Sequence, residues 1–218
     1  LNNGVWHGEQ LGAHTGDPRN FTSFDELLNA FTVHVEEAMD ALHSLYNTAI
    51  EIQGEMVPSP FGSALFEDCL EKGLTLQDGG TRYVCNAYAG LVGISDVIDS
   101  LVAIKKFVFD EKALTMDRLL DALRKNFEGE EVLRQMLTNK APKWGNDNDY
   151  ADAIGVEIIN RLVSSGCKEK YDSIPIKHNL KSRGITFTNF TAGVSLGKLV
   201  GALPSGRKAG EPLVESIS

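Results

Sequence analysis

His34 and Glu37 stand three residues apart on a helical pattern, with His43 further along it. That i, i+3 spacing is one that helical metal sites use, but such sites draw matching ligands from other helices. The sequence holds no second pair of this kind, so packed or solvated histidines are expected. Gly193-Val-Ser-Leu-Gly197-Lys198-Leu199 approaches a phosphate-binding loop. The motif needs Gly where Ala192 stands and Ser or Thr where Leu199 stands, so its magnesium-ligating hydroxyl is missing. Asp147-Asn148-Asp149 begins like a calcium loop, yet Asp152 takes the place of the turn glycine and Ile158 that of the bidentate glutamate. Helix capping accounts for it better. His7, His14 and His178 fall in loops with no partner identifiable from sequence.

The three cysteines, Cys69, Cys85 and Cys167, are widely spaced and form no CxxC. That excludes a zinc knuckle or a disulfide framework and points to a reducing cytosol. Cys69 and Cys85 sit among apolar residues and read as small core fillers. The net charge of -9, with basic residues no denser than the pairs Lys105-Lys106 and Arg207-Lys208, excludes a nucleic-acid footprint. No apolar run approaches the ~20 residues of a membrane span. A cytoplasmic protein without nucleic-acid or membrane partners is therefore expected, and the sequons at Asn20 and Asn189 would go unused there. With 218 residues, 42% hydrophobic and 23% charged, the chain can bury a real core as one domain or two.

Residues 1 to 22 read as an irregular or hairpin-like entry. Ser23 with Glu26 makes a capping-box pattern, and the apolar residues after it predict one long helix over about 23–53, ending near Gly54. A second helix is expected over about 60–72, closed by Gly73. Asp78-Gly79-Gly80 is a turn and Thr81 to Cys85 a short strand. Ser95 and Thr115 are expected to cap helices, a shorter helix follows over Glu130 to Leu137, and another over about 149–164. Ile185-Thr-Phe-Thr-Asn-Phe-Thr191 reads as a strand. Gly201 to Ser218, with Pro204-Ser-Gly206, Gly210 and Pro212, builds a defined loop. The pattern is mostly helical, with too few strands for a complete sheet.

An ordered series of segments resembles the glycyl radical enzymes of the pyruvate formate-lyase type. It begins with Leu1-Asn-Asn-Gly4, Gly12, Thr15-Gly16-Asp17-Pro18 and Phe21-Thr-Ser-Phe-Asp-Glu-Leu27. It continues through Asp68-Cys69-Leu-Glu-Lys-Gly73, Gly79-Gly-Thr-Arg-Tyr83 and Asp99-Ser-Leu-Val-Ala-Ile-Lys-Lys106. Asn126-Phe-Glu-Gly129, Ala141-Pro-Lys143, Gly145-Asn-Asp147, Tyr150-Ala-Asp152, Thr191-Ala192 and the closing loop complete it.

The resemblance implies an α/β fold, predominantly helical, as a partial segment of a ten-stranded α/β barrel. It implies a single incomplete domain over residues 1–218. In such enzymes one loop carries a cysteine that becomes a thiyl radical, and another carries a glycine that stores the radical. A partner using S-adenosylmethionine and an iron–sulfur cluster installs the glycyl radical. The thiyl then abstracts hydrogen from a small organic substrate, and elimination, decarboxylation or C–C cleavage follows. The barrel excludes water and oxygen from the intermediates. The Leu1 to Leu27 segment leans toward the eliminase and decarboxylase branch, and a homodimer is implied for the full-length enzyme.

Neither a Gly-Cys-Val-Glu-like loop nor an Arg-Val-Ser-Gly-Tyr-like loop occurs in this sequence. Family order places the first shortly before Leu1 and the second well after Ser218. The chain, which opens without Met and stops after a loop, is therefore expected to be an internal piece. By itself it holds no catalytic residue and no bound cofactor, and is inactive. Gly166-Cys167-Lys168-Glu169 reproduces the Gly-Cys-x-Glu spacing, but its neighbours are landmarks from far downstream of the catalytic loop, so a surface connection is expected.

Substrate contact is expected on the 185–192 strand, which by the resemblance passes the substrate cavity. Alternation puts Thr188, Phe190 and Ala192 on one face, making Thr188 the polar and Phe190 the wall-shaping contact. Arg207 and Glu211 are expected to pair with each other or with backbone groups that fix the closing loop. The alternative to the enzyme is a non-catalytic helical interaction module derived from the same family.

Overall fold

Ser23 starts the longest element of the chain. The structure, a computed structural model, describes residues 5–6, 9–10, 12–82, 89–166, 185–187 and 192–214. The entry is a hairpin, in which β1 (Val5–Trp6) pairs antiparallel with β2 (Glu9–Gln10). Helix α1 (Phe24–Met56) follows, with the Ser23 hydroxyl accepting from Glu26 N at 3.2 Å. The Glu26 carboxylate reaches back to Thr22 N at 2.7 Å, one residue before the place a standard capping box uses. The helix runs past Gly54 and stops at Val57, because a residue before proline disfavours helical backbone.

The single helix expected over 60–72 is two short ones, α2 (Pro60–Ser63) and α3 (Cys69–Lys72). Asp68 interrupts them with a left-handed backbone, φ 72°, and Arg82 holds its carboxylate with two donors at 2.9 and 3.3 Å. Gly73 closes α3 as expected. Of the strand expected over 81–85, residues 81 and 82 form a bend and the rest lie outside the described residues.

Strand β3 (Ala89–Leu91) comes later and pairs in parallel with β4 (Ile185–Phe187), Gly90 opposite Thr186. Parallel strands need a crossover, and a run of helices supplies it. Helix α4 (Ile94–Ile104) begins after Gly93, so Ser95 lies inside the first turn and does not cap it. A π-helical turn, Lys105–Asp110, extends α4. Thr115 caps α5 (Met116–Arg124) by accepting from Arg118 N. Then come α6 (Glu131–Lys140) and α7 (Asp149–Gly166). Asn148 Oδ1 accepts from Ala151 N at 3.3 Å, so the Asp-Asn-Asp stretch does cap a helix.

The strand expected to run on through 191 does so only as far as Phe187 among the described residues. Ala192–Gly197 is helical and forms α8. Contact decides this: the Gly193 carbonyl accepts from Leu213 N at 3.0 Å, and a Cβ on Gly197 would overlap the Glu211 carbonyl. Residues 188–191 lie outside the described residues.

Helix α7 packs against both α1 and α4, and α5 and α6 add residues to the same core. Leu28, Ile98, Val102, Leu137, Ala151 and Ile158 are wholly buried between them. No helix among the described residues is long and apolar enough to cross a membrane.

Candidate functional site

Among the described residues, a buried polar cluster lies where α4, the α6–α7 connection and residues 201–214 meet. Asp96 and Asp99 are one helical turn apart on α4, and both are 4% exposed. Asp96 Oδ2 accepts from Val214 N at 2.8 Å. Burial pushes the Asp96 carboxyl up, while the Val214 N–H and the Arg207 charge pull against that rise. Asp99 Oδ1 accepts from Trp144 N at 3.0 Å, and its other oxygen lies 3.7 Å from Lys143 Nζ. Lys143 Nζ also donates to the Ser205 carbonyl at 3.3 Å.

Arg207 stands at the centre of the loop, buried, with every donor arm on a backbone carbonyl. Nε reaches Pro212 O at 3.2 Å, Nη1 reaches Gly201 O at 2.9 Å, and Nη2 reaches Gly197 O at 2.8 Å and Glu211 O. Bonds from a charged donor contribute about 1.5–3 kcal/mol each, and a buried carbonyl without its donor costs a comparable amount. The Glu211 carboxylate accepts from Lys208 N at 2.9 Å. Both residues thus fix the loop through backbone groups, the second of the two arrangements expected. Gly206 sits against α6 with φ 94°, where a Cβ would strike the Thr138 hydroxyl.

Two cavities border this junction. One of about 430 Å³ is lined by Asp96, Asp99, Lys143, Arg207 and neighbours from α6. The other, of about 210 Å³, is apolar and lies between α1, α4, α5 and Leu203-Pro204. On the far side of α4, the π-helical turn is tied to α7. Lys105 Nζ and Tyr150 Oη both donate to Asp110, at 2.7 and 2.8 Å. Burial pushes the Asp110 carboxyl up, but these two donors outweigh it and hold it below the usual carboxylate range. Burial, and then the bond to Asp110, push the Tyr150 phenol up.

The substrate contacts expected from sequence, Thr188 and Phe190, lie outside the described residues, as do Cys85, Cys167, His7 and His178. The described part of their strand, Ile185–Phe187, is paired to β3. Ala192 is helical, so the alternation that placed it on one face with them does not extend that far. Cys69 is buried. His34 Nε2 bonds the Thr15 hydroxyl at 2.9 Å, while Glu37 is exposed. Among the described residues no group of three or more His, Cys, Asp or Glu is placed to hold a metal ion. The buried cluster itself was missed from sequence. Its signal was two acids at i, i+3 inside the apolar stretch Ile94 to Ile104.

The pyruvate formate lyase-like family matches residues 1–189, and the chain belongs to that family. Its relatives are glycyl radical enzymes. Trans-4-hydroxy-L-proline dehydratase of Clostridioides difficile is 40% identical across 100% of this chain and 27% of its own length. Its crystal structure with substrate bound superposes with a TM-score of 0.89, covering 99% of this chain. Isethionate sulfite-lyase of Desulfovibrio desulfuricans is 36% identical over 97% of this chain and 25% of its own. A glycyl radical enzyme from Archaeoglobus fulgidus gives a TM-score of 0.81 at 33% identity, over 100% of this chain and 27% of that one. The chain spans about a quarter of the length of these relatives. Its fold, predominantly helical with a parallel strand pair, is a partial segment of the glycyl radical enzyme fold.

Proposed function

We propose that the protein acts as a glycyl radical lyase of the dehydratase kind, and that this chain supplies part of its wall. The observation that carries this is the 40% identity, along the whole chain, to a trans-4-hydroxy-L-proline dehydratase whose substrate-bound structure superposes at a TM-score of 0.89. The sulfite-lyase relative points to the same reaction type, removal of a leaving group from a small polar molecule. In this reading a thiyl radical takes hydrogen from a carbon of the substrate, and the adjacent leaving group then departs. Ordinary acid–base groups cannot break such a C–H bond, which is what the radical is for.

The cysteine and glycine of that chemistry belong to parts of the enzyme beyond these 218 residues. Thr188 and Phe190 remain the proposed substrate contacts of this segment, following directly on β4. The glycyl radical is installed by an S-adenosylmethionine and iron–sulfur activating enzyme. A cytoplasmic setting and a homodimer belong to the same proposal.

The test is turnover by the full-length protein, activated without oxygen, on trans-4-hydroxy-L-proline, isethionate and a simple 1,2-diol. Release of water or sulfite from one of them, abolished by air, is the expected result. No turnover on any of the three, despite a radical on the enzyme, would overturn the dehydratase reading.

A further inference from the structure

The apolar stripes that α1, α4 and α5 turn toward one another do not close up. Leu27 and Phe31 on α1, Leu101 and Ile104 on α4, and Leu119 and Leu123 on α5 recur at helical spacing and face a common space of about 210 Å³. Protein interiors pack to the density of organic crystals and leave few voids larger than a water molecule. Every residue lining this one is buried or half-buried, so it belongs to the interior and is not a dent in the surface.

The wall decides what the space can hold. Its polar side chains are Asp96 and Ser100, and both are engaged. Ser100 Oγ donates to Asp96 O at 2.6 Å, and the Asp96 carboxylate accepts from Val214 N at 2.8 Å. Asp96 also lines the polar cavity next door, where the charges of Arg207 and Lys143 act on it. A buried water needs about 2–4 polar partners, which this wall does not offer. An anion entering here would meet a carboxylate, and a cation would meet one already faced by two positive groups, each at the cost of leaving water. An uncharged apolar occupant meets neither penalty.

The space also has a way in. Pro18 completes the wall from outside the three helices, and its turn, Pro18–Asn20, is fastened to α5 by the ion pair of Arg19 with Asp117 at 3.1 Å. Both partners are exposed, and an exposed pair contributes little, so it does little to bar entry past that turn. Directly after Ile104 the winding of α4 becomes π-helical, a change frequent at functional sites.

We propose that this cavity is a binding site for a small uncharged apolar molecule, of the size of a single aromatic ring. An apolar cavity of about 150 Å³ takes up benzene or xenon, so the space is sufficient. The site does not rest on the reaction proposed above.

The test uses the full-length protein before activation. Crystals are pressurised with xenon, and benzene, benzylamine and benzoate are titrated by calorimetry. A xenon peak between Leu27, Leu101 and Leu119 is expected, with a Kd for benzene on the order of 1 mM. The two charged compounds should bind at least about tenfold more weakly. Val97→Phe and Leu123→Phe each place a larger side chain in the space, and either should remove the xenon peak and weaken benzene by about tenfold or more. If one of them does not fold, the other carries the comparison, and xenon in the wild type decides by itself if neither does. Ordered water in the cavity, or a side chain from the rest of the enzyme in place of xenon, overturns the proposal. So does absence of benzene binding, equal affinity for the charged compounds, or benzene binding that the filled variants retain.

Discussion

Asp96 Oδ2 and Val214 N are 2.8 Å apart, a hydrogen bond across 118 positions of sequence. It fastens the end of the described chain to the first turn of α4, beside the guanidinium that orders the loop. The carboxylate sits in a buried place, so its charge is costly, and the donors around it lower that cost without removing it.

This gives a pH dependence of definite sign. The folded Asp96 carboxyl titrates above its ordinary value of 3.8, so the folded state binds the proton more tightly than the unfolded one. Its contribution to stability is full below 3.8 and is lost as pH rises through the raised folded value. Asp96→Asn keeps an oxygen for Val214 N and carries no titrating charge. The stability of wild type minus that of Asp96→Asn should therefore fall with rising pH and then level off. Denaturant unfolding of both proteins over that range measures it, and a difference that grows with pH would contradict the account.

Thr115 is a simpler case. Its hydroxyl accepts from Arg118 N at 3.3 Å and caps α5, whose Leu119 and Ala122 are buried. Thr115→Ala should cost about 1 kcal/mol and Thr115→Ser much less. Equal midpoints for Ala and Thr in urea would show that the cap contributes nothing.

That cap was legible in the sequence, as were Ser23 before α1 and the apolar periods of α1, α5, α6 and α7. Each depends on neighbours three or four residues away, which a sequence displays directly. What was not legible depends on distant contacts. Asp68 breaks the helix expected over 60–72 with a left-handed backbone, its carboxylate held by Arg82, fourteen residues on. Ala192–Gly197 is helical against residues 211–213, a contact that only the fold brings together. The site was legible only in part. Arg207 was expected to pair with Glu211 or with backbone groups, but its place beside Asp96 on α4 required the fold. The substrate side, Thr188 and Phe190, rests on sequence alone.

Large apolar side chains stand in water at the end of α1 and along α2 and α3. Phe61 is 83% exposed, and Met56, Leu65 and Leu70 are each 76% exposed. Monomers rarely leave large apolar patches uncovered, and β3 and β4 show no further strand partners among the described residues. The 218-residue chain by itself should self-associate. Changing Phe61, Leu65 and Leu70 to serine should shift it toward monomer in sedimentation velocity. A concentration-independent monomer for the unaltered chain would show that these residues need no cover.

The central claim, that this chain is part of a glycyl radical enzyme, has one direct measurement. The full-length protein, incubated without oxygen with its activating enzyme, reductant and S-adenosylmethionine, is frozen and examined by electron paramagnetic resonance. An organic radical signal split by the one hydrogen left on the glycine α-carbon, and lost on exposure to air, is the expected result. No such signal, with an activating enzyme shown to work on another glycyl radical protein, would contradict it.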